Sequence, residues 1–310
     1  MRYLVTGAAG FLGYHLSARL LRDGHAVIGL DNFHSGTEAN IQALSAHAGF
    51  RFVKHDVTVP YDHAVDVVCN LACPASPPHY QKDPVYTAKI AFLGTLHALE
   101  NAERHRAKLL QASTSEIYGD PTVHPQTEAY LGNVNPIGPR ACYDEGKRLA
   151  ETLCADFQRL GRADARLVRI FNTYGPNMRL DDGRVVTNFL LQAMRGEALT
   201  VYGEGRQTRS FCYVDDLIEG FVRVLAAPEN HGPINLGNPQ EFTMLALAQA
   251  VQAEVGSSVP IRHLPLPVDD PRQRCPDISK ARARLGWAPT VPLAEGLRRT
   301  AAYIRPLIQR

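Results

Sequence analysis

The sequence predicts an α/β protein: a Rossmann-type doubly wound parallel sheet joined to a smaller, irregular α/β substrate domain. Short apolar runs alternate with helical stretches through the first half, as in a mostly parallel sheet covered on both faces. A glycine-rich turn links the first run to the first helix. After Asn172 the texture changes to short pieces broken by Gly and Pro.

Residues 2–5 and 26–30 are apolar runs, and Phe11–Arg22 between them has helical periodicity ended by Asp23 and Gly24, which makes a βαβ unit. Further strand candidates at 65–71, 108–112 and 166–170 alternate with helical stretches at 84–104 and 143–160. Gly and Pro interrupt 203–205, 265–271 and 287–292, where a smaller domain is expected to close over the sheet. The expected division is a dinucleotide-binding domain at 1–173 and a mainly substrate-binding domain at 174–310, with 214–238 returning to the first as a helix and a strand. No internal repeat or low-complexity segment is evident.

A chain of 310 residues can bury a proper core. Its 33 Lys and Arg against 31 Asp and Glu, a net charge of +2, argue against nucleic acid or a charged membrane surface as partner. No apolar run approaches the roughly 18 residues that span a bilayer. Residues 1–6 already read as a strand, so no cleaved signal is expected. The six cysteines are scattered without CxxC or Cys/His ligand spacing, so the expectation is reduced thiols in a cytoplasmic protein and no metal.

Thr6-Gly7-Ala8-Ala9-Gly10-Phe11-Leu12-Gly13 occupies the first strand-to-helix turn. Gly7, Gly10 and Gly13 there let the backbone approach a pyrophosphate, held by the amides and dipole of the helix start at Phe11 and Leu12. The spacing departs from GxGxxG, and tight turns use glycine too. Asp31 ends the second strand about 20 residues on, where a carboxylate accepts from an adenosine ribose and repels the extra phosphate of NADP. Its neighbours Asn32, Phe33 and His34 offer no Arg or Lys to such a phosphate, so the expected cofactor is NAD. An Asp capping the loop is the plainer reading of Asp31.

Tyr143-Asp144-Glu145-Gly146-Lys147 sets a phenol and an ammonium on one helix face. The ammonium, with the cofactor's positive ring, favours a phenolate that takes a proton from a sugar hydroxyl as its carbon gives up hydride. Such a pair also arises by chance; its position downstream of a dinucleotide turn gives it weight. Thr114, Ser115 and Glu116 follow an apolar strand, at the carboxyl end of the sheet where ligands of such folds bind.

On these residues the chain resembles the extended short-chain dehydrogenase/reductases and, within them, the UDP-glucuronic acid decarboxylases, or UDP-xylose synthases. The resemblance runs through Leu71-Ala72-Cys73-Pro74-Ala75-Ser76-Pro77-Pro78-His79-Tyr80, Gly132-Asn133-Val134-Asn135-Pro136-Ile137-Gly138-Pro139-Arg140 and Arg169-Ile170-Phe171-Asn172-Thr173-Tyr174-Gly175-Pro176. It continues through Asp182-Gly183-Arg184-Val185-Val186, Gln207-Thr208-Arg209-Ser210-Phe211 and Asp270-Pro271-Arg272-Gln273-Arg274.

The resemblance implies that Thr114, Tyr143 and Lys147 perform the hydride step, with Ser115, Glu116 and Arg274 near the sugar and its carboxylate. It adds Asp56, Val57 and Leu71 to the NAD site. It assigns Lys89, Asn172, Arg184, Val185, Tyr202 and Arg209 to the sugar nucleotide. It also implies a homodimer built from the helices at 84–104 and 143–160. Two departures stand out: Ala8 in place of a turn glycine, and Ala91 where relatives often carry Asn. Related 4,6-dehydratases carry Asp where Ser115 stands; Ser is a poor acid for expelling a hydroxyl, but it can donate to a carboxylate, as Arg274 can. A 4-epimerase shares the turn, Tyr and Lys, and a non-catalytic dinucleotide-binding protein shares the fold.

Overall fold

The computed structural model describes residues 1–266 and 273–308. Most of the expected break at 265–271, and the Asp270-Pro271-Arg272 part of one family match, lie outside the described residues.

Six strands, β1 (Arg2–Thr6), β2 (Ala26–Asp31), β3 (Phe50–Lys54), β4 (Val67–Asn70), β5 (Lys108–Thr114) and β6 (Asp164–Ile170), join Ile234–Leu236 in one seven-stranded sheet. All its pairings are parallel, and its order is Ile234–Leu236, β6, β5, β4, β1, β2, β3. Chain order reverses at β1, which pairs β2 on one side and β4 on the other, so a ligand crevice opens at the carboxyl ends of β1 and β4.

Side chains alternate along β1, so Leu4 and Val5, both fully buried, enter separate apolar clusters on opposite faces. The helix Phe11–Arg22 packs in the Val5 cluster, and Thr95–His105 and Ala141–Arg159 pack in the Leu4 cluster. This two-sided burial is why the strands read as continuous apolar runs.

The structure departs from the sequence reading at several points, among them the helices Val185–Arg195, Met244–Val255 and Leu293–Ile308. The strand β3 and the helix Glu38–Ser45 were not expected; β3 is a half-buried edge strand without clear alternation. The helical stretch at 84–104 is divided into Pro84–Lys89, a π turn at Ile90–Gly94 and Thr95–His105. That turn seats buried Ala91 so close to Gly146 that a Cβ on Gly146 would lie 2.8 Å from Ala91 Cβ.

Val214–Ala226 covers the Val5 face, and Ile234 pairs with Val168 of β6. Apart from the main sheet, Thr208–Ser210 forms a small sheet between Glu241–Thr243 and Gln273–Arg274. Arg209 and Arg274 are register partners in that sheet, so one short ladder delivers two guanidinium groups to the crevice.

Candidate active site

The glycine turn has the geometry of a pyrophosphate cradle. Gly7 sits at φ +72°, and a Cβ there would lie 2.9 Å from the Ala72 backbone. A Cβ on Gly13 would lie 2.0 Å from Gly7 O, so no side chain fits where the helix meets the turn. Gly10 caps the helix with no side chain, which leaves its first-turn amides to a ligand. Ala8 is fully buried and is accommodated.

This turn opens on a cavity of about 140 Å³ lined by Gly7, Gly10, Phe11, Leu12, Gly13, Asp31, Asn32, Val57 and Leu71. Thr6 ties its floor together: its hydroxyl donates to Asn70 Oδ1 at 2.7 Å and accepts from the Leu71 and Ala72 amides. The Asp31 carboxylate accepts from the amides of Ala9 at 3.0 Å and Phe33 at 2.7 Å. Burial holds it above its ordinary pKa despite those bonds. These bonds make Asp31 a cap of the loop at the end of β2.

Asp56 stands behind the wall, accepting from Tyr86 OH at 2.5 Å and Asn32 Nδ2 at 3.2 Å. Burial alone would raise its pKa, but the hydrogen bonds from Tyr86, Thr58 and Asn32 hold it below the ordinary value. Tyr86, which the sequence reading missed, is pushed up to about 12 by burial and Asp56. No local spacing signals it, because the pair spans two separate segments.

A second cavity, of about 290 Å³, shares Phe11, Leu12, Leu71, Cys73, Ala75 and Arg184 with the first. It gathers Thr114, Ser115, Glu116, Tyr143, Lys147, Asn172, Arg184, Val185, Tyr202, Arg209 and Arg274. Lys89 is different. It lies exposed, two residues beyond buried Thr87 and so on the opposite helix face, and it lines neither cavity.

Tyr143 and Lys147, each 5% exposed, lie one turn apart on Ala141–Arg159. Lys147 Nζ donates to Ala112 O at 2.9 Å and sits 5.8 Å from the Tyr143 ring centre. Tyr80 stacks on Tyr143 with centroids 5.1 Å apart and planes 2° from parallel. Burial pushes the Tyr143 phenol far up, Cys73 adds to this, and a hydrogen bond with Thr114 pulls it back. In the chain by itself burial is the largest influence on this phenol.

Glu116 is the second residue of a single 3-10 turn, Ser115–Tyr118, whose start is capped by Thr114 Oγ1. Arg274 grips its carboxylate with both terminal nitrogens, at 2.7 and 2.9 Å, and Arg140 binds the same carboxylate. Burial alone would raise Glu116, but Arg274 and Arg140 hold it down to about 2. Arg140 and Arg274 thus set two guanidinium groups beside Glu116 on the cavity wall. Nearby Asp144 is pushed up to about 7, by burial first and Glu116 next. Sequence reading quoted Arg140 only within a match and gave Asp144 no role; pairing across distant segments leaves no local pattern.

At the far end, Arg184 donates to Ala75 O at 3.2 Å and lies 3.4 Å from Asp182, while Arg209 donates to Thr208 O at 2.8 Å. Tyr202 is half-exposed at the rim.

Residues 3–237 match the NAD dependent epimerase/dehydratase family. The chain belongs to that family. Like its other members, it is built around an NAD site, which the glycine turn and Asp31 fit. Curated relatives include UDP-glucuronic acid decarboxylase 1 of Danio rerio, 52% identical over 97% of this chain and 72% of that protein. UDP-glucuronic acid decarboxylase 6 of Arabidopsis thaliana is 54% identical over 96% of this chain and 87% of its own length. Among solved structures, UDP-glucuronic acid 4-epimerase from Bacillus cereus, with UDP-glucuronic acid and NAD, superposes with a TM-score of 0.90 at 31% identity. That alignment covers 99% of this chain and all of the epimerase. No helix among the described residues is long and apolar enough to cross a membrane.

Proposed function

We propose that this protein is an NAD-dependent UDP-glucuronic acid decarboxylase, converting UDP-glucuronic acid to UDP-xylose and carbon dioxide. The observation that carries this is the meeting of Thr114, Tyr143 and Lys147 with an arginine-bound Glu116 in one cavity. It occurs in a chain that shares over half its residues with relatives of that name.

NAD, when bound, supplies the hydride acceptor and then the donor for sugar C4. Gly7, Gly10 and Gly13 with the first-turn amides hold its pyrophosphate; Asp31 and Asn32 take the ribose, with Asp56, Val57 and Leu71 around the rest. Tyr143 Oη receives the C4 hydroxyl proton and returns it at the end. Thr114 hydrogen-bonds the same oxygen, and Lys147 supplies the cation that offsets the cost of a buried phenolate.

A ketone at C4 lies β to the C6 carboxylate, so carbon dioxide leaves with the C5–C6 electrons passing into the carbonyl. Tyr143 and Thr114 stabilise the enolate oxygen so formed, and C5 is then protonated. A guanidinium carries five N–H groups, so Arg274 keeps donors for the sugar carboxylate while it grips Glu116. Ser115 adds a hydroxyl there. Asn172, Arg184, Val185, Tyr202 and Arg209 hold the UDP.

Val85, Phe92 and Leu149 are exposed apolar residues on the two helical stretches expected at a homodimer interface, which supports that assembly. The six unbonded cysteines support a cytoplasmic setting. We keep the division at 1–173 with 214–238, and 174–310.

Incubating purified protein with UDP-glucuronic acid and NAD, while following carbon dioxide and the sugar nucleotide together, tests this. Carbon dioxide with UDP-xylose is the expected result. An epimerised sugar without gas would favour the 4-epimerase reading, which the Bacillus cereus structure motivates. No reaction would favour a non-catalytic binding protein.

A further inference from the structure

Outside the reaction cavity, three side chains distant in sequence converge: His124, Glu241 and Cys275. Their ligand atoms all lie within 4.8 Å of one another, with His124 Nε2 only 2.9 Å from Glu241 Oε2. The group spans the surface: His124 is exposed, Glu241 half-buried and Cys275 buried, so an ion has an entry path and a protected inner ligand.

The scaffold beneath it is already assembled. The Cys275 amide donates to Gln126 Oε1 at 2.8 Å, and the Gln126 amide donates to Cys275 O at 2.9 Å. These bonds fix the segment carrying His124 against the one carrying Cys275. Thr208 Oγ1 donates to Glu241 Oε1 at 2.6 Å, which orients the carboxylate and leaves Oε2 on the His124 side. Such outer-shell bonds accompany metal-ligating carboxylates.

One nitrogen, one oxygen and one sulfur ligand match zinc, which binds these donors at about 2.0–2.3 Å in tetrahedral sites. Magnesium and calcium prefer all-oxygen sets. A tetrahedron with such bonds spaces its ligand atoms roughly 3.3–3.8 Å apart. On binding, the 2.9 Å His124–Glu241 pair opens slightly and the separations to Cys275, within 4.8 Å, close by up to about an ångström.

We propose that His124, Glu241 and Cys275 form a zinc site of three protein ligands completed by water. The metal displaces the Cys275 thiol proton to solvent, breaking the hydrogen bond of that thiol to Pro239 O at 3.3 Å, and replaces the hydrogen bond between His124 and Glu241. Because Cys275 follows Arg274, bound zinc clamps the strand that presents Arg274 to Glu116. The site is independent of the decarboxylase reading, since none of its ligands lines the reaction cavity.

Cobalt(II) is the probe: the full chain, stripped with chelator, is titrated with cobalt alone and then with zinc. A thiolate-to-cobalt charge-transfer absorption at one equivalent per chain, erased by zinc, is expected. Cys275→Ser should abolish the band, His124→Gln should weaken binding at least about tenfold, and Cys142→Ser should leave it intact. Absence of the band up to millimolar cobalt would overturn the proposal, as would a band that survives Cys275→Ser. If Cys275→Ser fails to fold, unchanged cobalt affinity in His124→Gln and Glu241→Gln would overturn it equally.

Discussion

Replacing Arg274 by Ala removes two hydrogen bonds to Glu116, at 2.7 and 2.9 Å, from a pair whose side chains are 8% and 15% exposed. Removing one partner of a buried pair costs about 3–5 kcal/mol, chiefly because the remaining charge is left unpaired. Here Arg140 stays on Glu116, so roughly half of that, about 2 kcal/mol, is expected in urea unfolding of the variant. The same change removes one guanidinium from the cavity wall. If Arg274 reads the sugar carboxylate, a loss of about 2 kcal/mol corresponds to roughly 30-fold weaker binding of UDP-glucuronic acid. UDP-xylose has no carboxylate and should weaken by less than about threefold. Calorimetric titration of the NAD-loaded variant with each nucleotide measures both. Equal losses for the two sugars would refute the reading of Arg274 as a carboxylate contact. A stability change near zero would refute the value assigned to the pair.

Three further outcomes are expected. Tyr143→Phe should retain the fold and NAD binding but lose at least about 100-fold in carbon dioxide release, and near-normal turnover would remove Tyr143 from proton transfer. Gly13→Ala forces a Cβ to 2.0 Å from Gly7 O and should cost roughly 3 kcal/mol with loss of NAD, whereas Gly10→Ala, at 3.2 Å, should cost under about 1 kcal/mol; fluorescence titration with NAD compares them. Asp144, raised by burial and Glu116 to about 7, binds its proton more tightly in the folded chain. Its stabilising effect is therefore complete below the unfolded value near 4 and is lost as pH rises through about 7. Relative to wild type, Asp144→Asn should grow more stable in urea between pH 5 and pH 8, and parallel curves would contradict that protonation.

Local chemistry made much of this protein legible in one dimension. Period and punctuation placed β1, β2, β5 and β6 within a residue or two, because strands buried on both faces are mostly apolar. The glycine turn was readable because φ +72° at Gly7 and the contact at Gly13 exclude any side chain. Tyr143 and Lys147 were readable because helical spacing alone sets them on one face. The edge strand β3 was not, since its half-buried face enforces no alternation. Nor was the π turn at Ile90–Gly94, which is fitted to Gly146 on another helix.

The state of the site belongs to tertiary structure. Residues 116, 140 and 274 carry no mutual spacing, yet the fold closes them into one buried charge cluster that holds the Glu116 carboxyl down and pushes Asp144 up. The same holds for His124, Glu241 and Cys275, which look unrelated until Thr208–Ser210, flanked by Glu241–Thr243 and Gln273–Arg274, forms its small sheet. Sequence by itself determined which chemical groups are present and which local turns they require. Only folding decided which charges meet out of water, because desolvation and Coulomb energy depend on distance in space and on burial, and neither is written in the spacing along the chain.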